Sequence, residues 1–199
     1  MGARNHHLIV EHLDRLQGSI VEIGAGRNEG STDFFAGIAA CRPDLTYHSV
    51  DFDPEAHKVI GKYAVKLSNM HAHQMMGEKF LEEILIPSGE RVCWAYLDNF
   101  DWNYWVGLEE PWVLDIMAKY RDKFDTEMTN LNSQISHLRQ AMALIPLFAP
   151  KSLVICDDTW LVPKQGIFSG KCSAAIPLLM GVGFSLLEMS GFEQGSGVI

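Results

Sequence analysis

Three carboxylates and a run of glycines are the residues in this chain best placed to do chemistry. The run SIVEIGAGRNEGSTDFF begins at Ser19. It has a short apolar stretch from Ile20 to Ile23, then Gly24, Gly26 and Gly30, then Ser31, Thr32 and Asp33 as helix-capping side chains. That order predicts a strand, a tight glycine turn and a helix N-terminus. Glycines allow positive φ and close approach of a ligand to the main chain, and the unpaired amides of a helix start favour an anionic group. The carboxylates are Asp98, after the apolar run RVCWAYL, and the pair Asp157 and Asp158, after Leu153 to Cys156. Three such groups on neighbouring strand tips repel one another unless a cation or protons intervene. All-oxygen ligation of that kind suits Mg²⁺, with Mn²⁺ or Ca²⁺ as substitutes.

The glycine spacing narrows the ligand. A dinucleotide fingerprint requires G-x-G-x-x-G, and here the third glycine comes one residue late. Glu22, two residues before Gly24, would repel a pyrophosphate but tolerate a ligand that carries a cation. An acidic residue about 20 positions after the loop, at the tip of the second strand, is where a ribose diol is bound in doubly wound folds, and Asp51 holds that position. Asp53 followed by Pro54 reads instead as the cap of the next helix.

The elements that must position these groups follow from periodicity. Asn5 to Gln17 has helical spacing and is closed by Gly18. Thr32 to Cys41 is the first crossover helix, Leu45 to Val50 the second strand and Pro54 to Tyr63 the next helix. Met75, Met76 and Gly77 end a third strand. The aromatic segment Asn99 to Trp112 follows the fourth strand, and Glu109 to Asn132 reads as one or two exposed helices. Ile135, Leu138, Met142 and Ile145 mark a helix with its apolar face on the sheet. Lys164 to Lys171 reads as a loop, and Phe184 to Met189 with Gly197 to Ile199 as a closing hairpin. The expected architecture is α/β: a doubly wound Rossmann-like seven-stranded sheet, mostly parallel, with a C-terminal antiparallel hairpin. One domain spans 1–199, with about 105–132 as a lid-like insertion.

Composition narrows the partners. The chain has 199 residues, 47% of them hydrophobic, and a formal charge of −9. That size suits one substantial core, and the charge disfavours nucleic acid. No run is long and apolar enough for a membrane span, no secretory leader is evident, and the location expected is cytoplasmic. Cys41, Cys93, Cys156 and Cys172 show no C-x-x-C spacing and read as buried, reduced thiols. The pair His71 and His73 reads as part of an exposed strand rather than a metal site. Tryptophans in the aromatic segment (Trp102, Trp105 and Trp112) could line a pocket or a homodimer face.

The form E-I-G-x-G resembles motif I of the class I S-adenosylmethionine-dependent methyltransferases. With an Asp after strand four and an acidic pair after strand five, the chain from Ile20 to Ile199 looks like the metal-dependent O-methyltransferases. These are the catechol and macrolide-sugar types, and most of all the compact macrocin and cephalosporin-hydroxylase-like group. The resemblance implies that Glu22, Gly24, Ala25, Gly26 and Ser31 meet the methionine part of S-adenosylmethionine, Asp51 its ribose, and Met75, Met76 and Gly77 its adenine. Asp98, Asp157 and Asp158 would carry the ion, with a small hydroxylated molecule as acceptor. Asp98 and Asp101 would be the catalytic residues. Asp101 is a departure, since the relatives carry Lys or His three positions after the strand-four Asp. A carboxylate is a weak base for a free hydroxyl, although a metal-bound hydroxyl could pass its proton to Asp101.

The rival readings are fewer. A nicotinamide oxidoreductase would share the fold, but the glycine spacing opposes it and no Tyr-x-x-x-Lys pair is present. An iron oxygenase needs an H-x-D with a distant His, and the single H-x-D, His12 to Asp14, falls in the predicted first helix and not at a strand tip. Where a nucleic-acid methyltransferase carries N-P-P-Y, this chain has D-N-F-D. A non-catalytic S-adenosylmethionine-binding module is the alternative of a different class.

Overall fold

The structure is a computed structural model that describes residues 10–26, 30–104, 110–162, 164–189 and 196–198. Five parallel strands form its centre: β1 (Ser19–Ile23), β2 (Thr46–Asp51), β3 (Met70–Gln74), β4 (Val92–Leu97) and β5 (Phe148–Asp157). Two short antiparallel strands, β8 (Glu188–Met189) and β9 (Ser196–Val198), extend the sheet, in the order β3-β2-β1-β4-β5-β9-β8. The order reverses between β1 and β4, which puts the crevice for a ligand at their carboxyl ends.

Alternation along the strands divides the core. Ile20 and Glu22 face one side with Tyr47, Trp94, Tyr96 and Ile155, under α1 (Ser31–Cys41) and α2 (Pro54–Ala64). Phe35 of α1 fills that layer, edge-on to Trp94 at 5.2 Å between ring centroids. Val21 and Ile23 face the other side with Val50, Leu97 and Cys156. That side is covered by α3 (Gly77–Phe80), a π-helical turn (Leu81–Leu85), α4 (Ile86–Ser88), α6 (Asn130–Leu144) and α7 (Ala175–Gly181). Each fully buried Leu, Ile or Phe contributes about 1.5–3 kcal/mol. A third cluster, Phe52, Phe100, Tyr120 and Met128, joins α5 (Pro111–Phe124) to the carboxyl rim.

Some expectations change. Residues 10–12 are helical and tighten into a 3₁₀ turn at Leu13–Arg15, and the start of the predicted first helix lies outside the described residues. Met75 and Met76 fall after β3, and Gly77 opens a helix instead of ending a strand. The predicted loop from Lys164 to Lys171 contains a strand, β7 (Ile167–Gly170), paired antiparallel with β6 (Thr159–Val162). Most of the predicted strand from Phe184 is irregular, and only Glu188–Met189 pairs. Cys41 is exposed while the other three cysteines are buried, and all four are free. Among the described residues no helix is long and apolar enough to cross a membrane. Of the segment 105–132 expected as a lid-like insertion, Pro111–Phe124 forms α5 and 130–132 open α6, while residues 105–109 lie outside the described set.

The histidines of β2 and β3 form a hydrogen-bonded ladder. His48 Nδ1 lies 3.1 Å from His73 Nε2, and His48 Nε2 lies 3.1 Å from Glu90 Oε2. With both rings neutral the bonds run in one direction, His73 to His48 to Glu90. Burial lowers the pKa of both histidines, that of His73 to about 4. A depressed histidine pKa means that the unfolded chain binds the proton more readily. The stabilisation is therefore complete above the ordinary value of 6.5 and is lost as pH falls through about 4. His73 is partly exposed, so its share after solvent screening is on the order of 1–2 kcal/mol. Urea unfolding midpoints measured between pH 7 and 4 should fall less steeply in His73→Asn than in the wild type; parallel curves would contradict this.

Candidate active site at the carboxyl rim of the sheet

The glycine turn is built on a buried acid. Glu22 is fully buried, and its carboxylate accepts hydrogen bonds from Ser49 Oγ at 2.8 Å, from Thr32 Oγ1 at 3.1 Å and from the Tyr47 hydroxyl. Burial raises its pKa, against the hydrogen bonds of Tyr47, Ser31, Ser49 and Thr32. Thr32 Oγ1 also accepts the Gly26 amide at 2.8 Å. The Glu22 and Ser31 side chains, expected beside the methionine part of a ligand, are hydrogen-bonded inside the protein, where they fix the turn to the start of α1.

The strand tips are tied across the switch point. The Gly24 amide donates to Val50 O at 2.9 Å, and the Asp98 amide to Ile23 O at 2.8 Å. Gly24 has φ +97, and a Cβ there would overlap the Asp98 carbonyl and the Asn99 amide. Ala25 is fully buried beside it. Asp51 stands at the end of β2 with 1% exposure, and its Oδ1 accepts the Asp53 amide at 2.7 Å. Asp53 caps α2 through the Glu55 amide and pairs with Lys119 of α5.

The adenine-side residues separate. Met75 packs on the main core, Met76 on the cluster of Phe52 and Phe100, and a Cβ on Gly77 would overlap Ile23. Above Gly77 lies a polar face of α6 that the apolar spacing did not reveal. Ser133, Ser136, His137 and Gln140 are buried, while Ile135 and Met142 face solvent. Gln140 Nε2 donates to Asn99 Oδ1 and to Ser136 Oγ, each at 3.0 Å. Gln140 Oε1 is buried with no partner among the described residues, a vacant acceptor beside the rim.

The three carboxylates do converge. The register of β4 on β5, with Leu97 opposite Cys156, sets Asp98 beside Asp157. The Tyr96 hydroxyl bridges them, donating to Asp157 and lying 3.2 Å from Asp98 Oδ2. Burial, then the charge of Asp98, raises the Asp157 pKa to about 6. Asp158, at φ +47, is reached by the Tyr104 hydroxyl, and Tyr104 stacks on Trp160, which also meets Trp102 edge-on.

A residue that the sequence marks only as the end of a loop completes this cluster. Lys171 Nζ lies 2.5 Å from Asp98 Oδ1 and 2.9 Å from Asp158 Oδ2, with its side chain 4% exposed. Burial opposes its charge, but Asp98 and Asp158 outweigh burial and hold its pKa well above the ordinary value. The donor set therefore does not fit a divalent ion. An ammonium already stands between two of the three expected ligands, and among the described residues no group of three His, Cys, Asp or Glu is arranged to hold a metal. The residues expected to carry Mg²⁺, Asp98, Asp157 and Asp158, are linked here by the Lys171 ammonium and the Tyr96 hydroxyl.

Asp101 belongs to a neighbouring cavity of about 220 Å³, shared with Phe52, Asp53, Ile116, Lys119 and Tyr120. Its carboxylate accepts the Tyr120 hydroxyl at 2.8 Å. A larger cavity, about 530 Å³, lies at the opposite end of β5, lined by His12, Phe148, Ser152, Val182 and Phe184.

No known family model matches the chain, and no curated protein matches it by sequence. Solved structures do match its fold. The O-methyltransferase TomG from Streptomyces achromogenes, in complex with SAM, superposes at a TM-score of 0.56 and 13% identity, over 100% of this chain and 78% of that one. The fold they share with this chain is Rossmann-like α/β. The N-methyltransferase NodS from Bradyrhizobium japonicum WM9, in complex with S-adenosyl-L-homocysteine, matches at 0.52 and 11% identity, over 98% of this chain and 84% of that one. Against PKMT2 from Rickettsia typhi, at 0.44 and 11% identity over 73% of this chain, it spans 22% of the other's length.

Proposed function

We propose that this chain is an S-adenosylmethionine-dependent methyltransferase acting on a hydroxyl of a small acceptor. The observation that carries the reading is the shared rim. The Gly24–Gly26 turn on β1 and the buried Asp51 on β2 stand beside the Asp98, Asp157 and Asp158 cluster, in the strand order of a methyltransferase fold. The residues suit such a cofactor. The turn backbone would face the methionine end, Asp51 would accept from the ribose hydroxyls, and Gln140 Oε1 offers an acceptor near the adenine side.

When bound, S-adenosylmethionine supplies an electrophilic methyl group on a sulfonium. The chain's own part is positioning and proton handling. Trp102, Tyr104 and Trp160 would form one wall for the acceptor. The proton that the acceptor hydroxyl gives up on methylation would pass to the carboxylate cluster of Asp98, Asp157 and Asp158. Asp157, with its raised pKa, holds a proton more readily than an exposed carboxylate. Most of the acceleration would come from holding oxygen and methyl in line. The tie between Asp101 and Tyr120 favours a structural duty for Asp101, which keeps a binding module without turnover as the second reading.

Titration calorimetry with S-adenosylmethionine tests the proposal. We expect a dissociation constant between about 1 μM and 1 mM, the range usual for substrates. No heat of binding across that range would refute the cofactor assignment. Binding without turnover on phenols, catechols and sugar hydroxyls would leave the module.

A further inference from the structure

We infer that Lys171 is the resident cation of the acceptor site, an ammonium built in where metal-assisted enzymes recruit a divalent ion, so that this site works without one. The inference rests on the methyltransferase reading for its consequence, but on the geometry alone for its premise.

The lysine is delivered by a clamp that has no other evident purpose. After β5 the chain turns at Asp158, runs out along β6 and returns along β7 to Gly170, which lies against the Asp158 carbonyl so closely that a Cβ would overlap it. The Lys171 amide then donates to Asp158 O at 3.0 Å, and the Cys172 amide to Thr159 Oγ1 at 2.9 Å. Thr159 Oγ1 donates in turn to Asp157 O at 2.9 Å. From α6, Gln134 Nε2 holds Ser173 Oγ at 2.7 Å. The bonds at Lys171, Cys172 and Ser173 fix the backbone on both sides of the lysine, and its side chain runs inward to Asp98 and Asp158.

Charge and valence follow from that placement. A divalent ion bound by Asp98 and Asp158 would have to displace the ammonium, because two cations within about 3 Å repel strongly in a buried site. A lysine has three N–H donors, and Asp98 and Asp158 take two. The third is left for one acceptor oxygen. A divalent ion can chelate two oxygens of a catechol, whereas this ammonium can hold one. The substrate class that fits is therefore a single hydroxyl, a phenol or an isolated alcohol, recognised without a vicinal partner.

The test uses Mn²⁺ as the probe, followed by its electron paramagnetic resonance signal, on the full chain. The wild type is expected to show no site below about 1 mM, the weak end of protein sites for hard divalent ions. Lys171→Ala, which exposes three carboxylates to one another, should gain a Mn²⁺ site. Its melting temperature should fall by roughly 10 °C without metal and recover in millimolar Mg²⁺. A wild-type Mn²⁺ site that Asp158→Asn abolishes would overturn the inference, as would a folded Lys171→Ala that binds no Mn²⁺. If that variant does not fold, the wild type and Asp158→Asn decide between the two outcomes. Calorimetry with S-adenosylmethionine on the same wild-type sample separates the questions: loss of cofactor binding sinks the methyltransferase reading and leaves the cation assignment standing.

Discussion

Gly24→Ala is expected to abolish measurable binding of S-adenosylmethionine and to lower stability by about 3–5 kcal/mol, combining backbone strain with overpacking. Two independent effects coincide at this residue. Its φ of +97 is one that a side-chain-bearing residue rarely adopts, and an added methyl would overlap the backbone of Asp98 and Asn99. Backbone cannot swing aside as a lysine tip can. The β4 tip would have to retreat from β1, carrying Asp98 away from Asp157 and Lys171 and breaking the bond from the Asp98 amide to Ile23 O. Gly30 is the control. It also has positive φ, at +87, but nothing lies within 4 Å of a Cβ there. Gly30→Ala should therefore cost only the strain, about 1–2 kcal/mol. Urea unfolding and calorimetry on both variants check the contrast. Equal losses would show that φ alone, and not the contact between strand tips, sets the cost.

That contact also explains which parts of the site could be read from the sequence. A strand buried on both faces is written in near-continuous apolar letters, so Ile20 to Ile23 (interrupted only by Glu22), Leu153 to Cys156 and the run before Asp98 announced themselves. Side-chain alternation then fixed which carboxylates share a face. Asp98 follows Tyr96 by two and Asp157 follows Ile155 by two, and once β4 and β5 are neighbours both acids project to the same side. Lys171 carried no such mark. A lysine directly after a glycine-containing loop reads as solvent-exposed because most are, and only the closure of β6 on β7 brings it inside. The face of α6 was misread for a related reason. Apolar letters at Ile135 and Met142 suggested the core side, while Ser133, Ser136, His137, Gln140 and Ala141 kept an equally regular helical spacing in polar and small residues. A buried polar stripe of that kind is the signal that could have located the rim from sequence. It conflicts with the ordinary hydrophobic pattern, and such local conflicts concentrate at sites of function.

Asp51→Asn should weaken S-adenosylmethionine by about 10- to 100-fold, the loss of charge-assisted hydrogen bonds worth about 1.5–3 kcal/mol, while leaving the fold nearly untouched. The amide replacement is chosen for a reason on the other side of the carboxylate. Asp51 Oδ1 already accepts the Asp53 amide at 2.7 Å, and Asp53 in turn caps α2. An asparagine keeps a carbonyl oxygen for that bond and loses only the charge that would face a ribose diol. Asp51→Ala removes both, and should add about 1 kcal/mol of destabilisation through the unsatisfied Asp53 amide. The pair thus separates a ligand contact from a turn contact at one position. If Asp51→Asn binds S-adenosylmethionine as the wild type does while Asp51→Ala melts earlier, the carboxylate serves only to shape the turn, and the ribose must be held elsewhere on the rim.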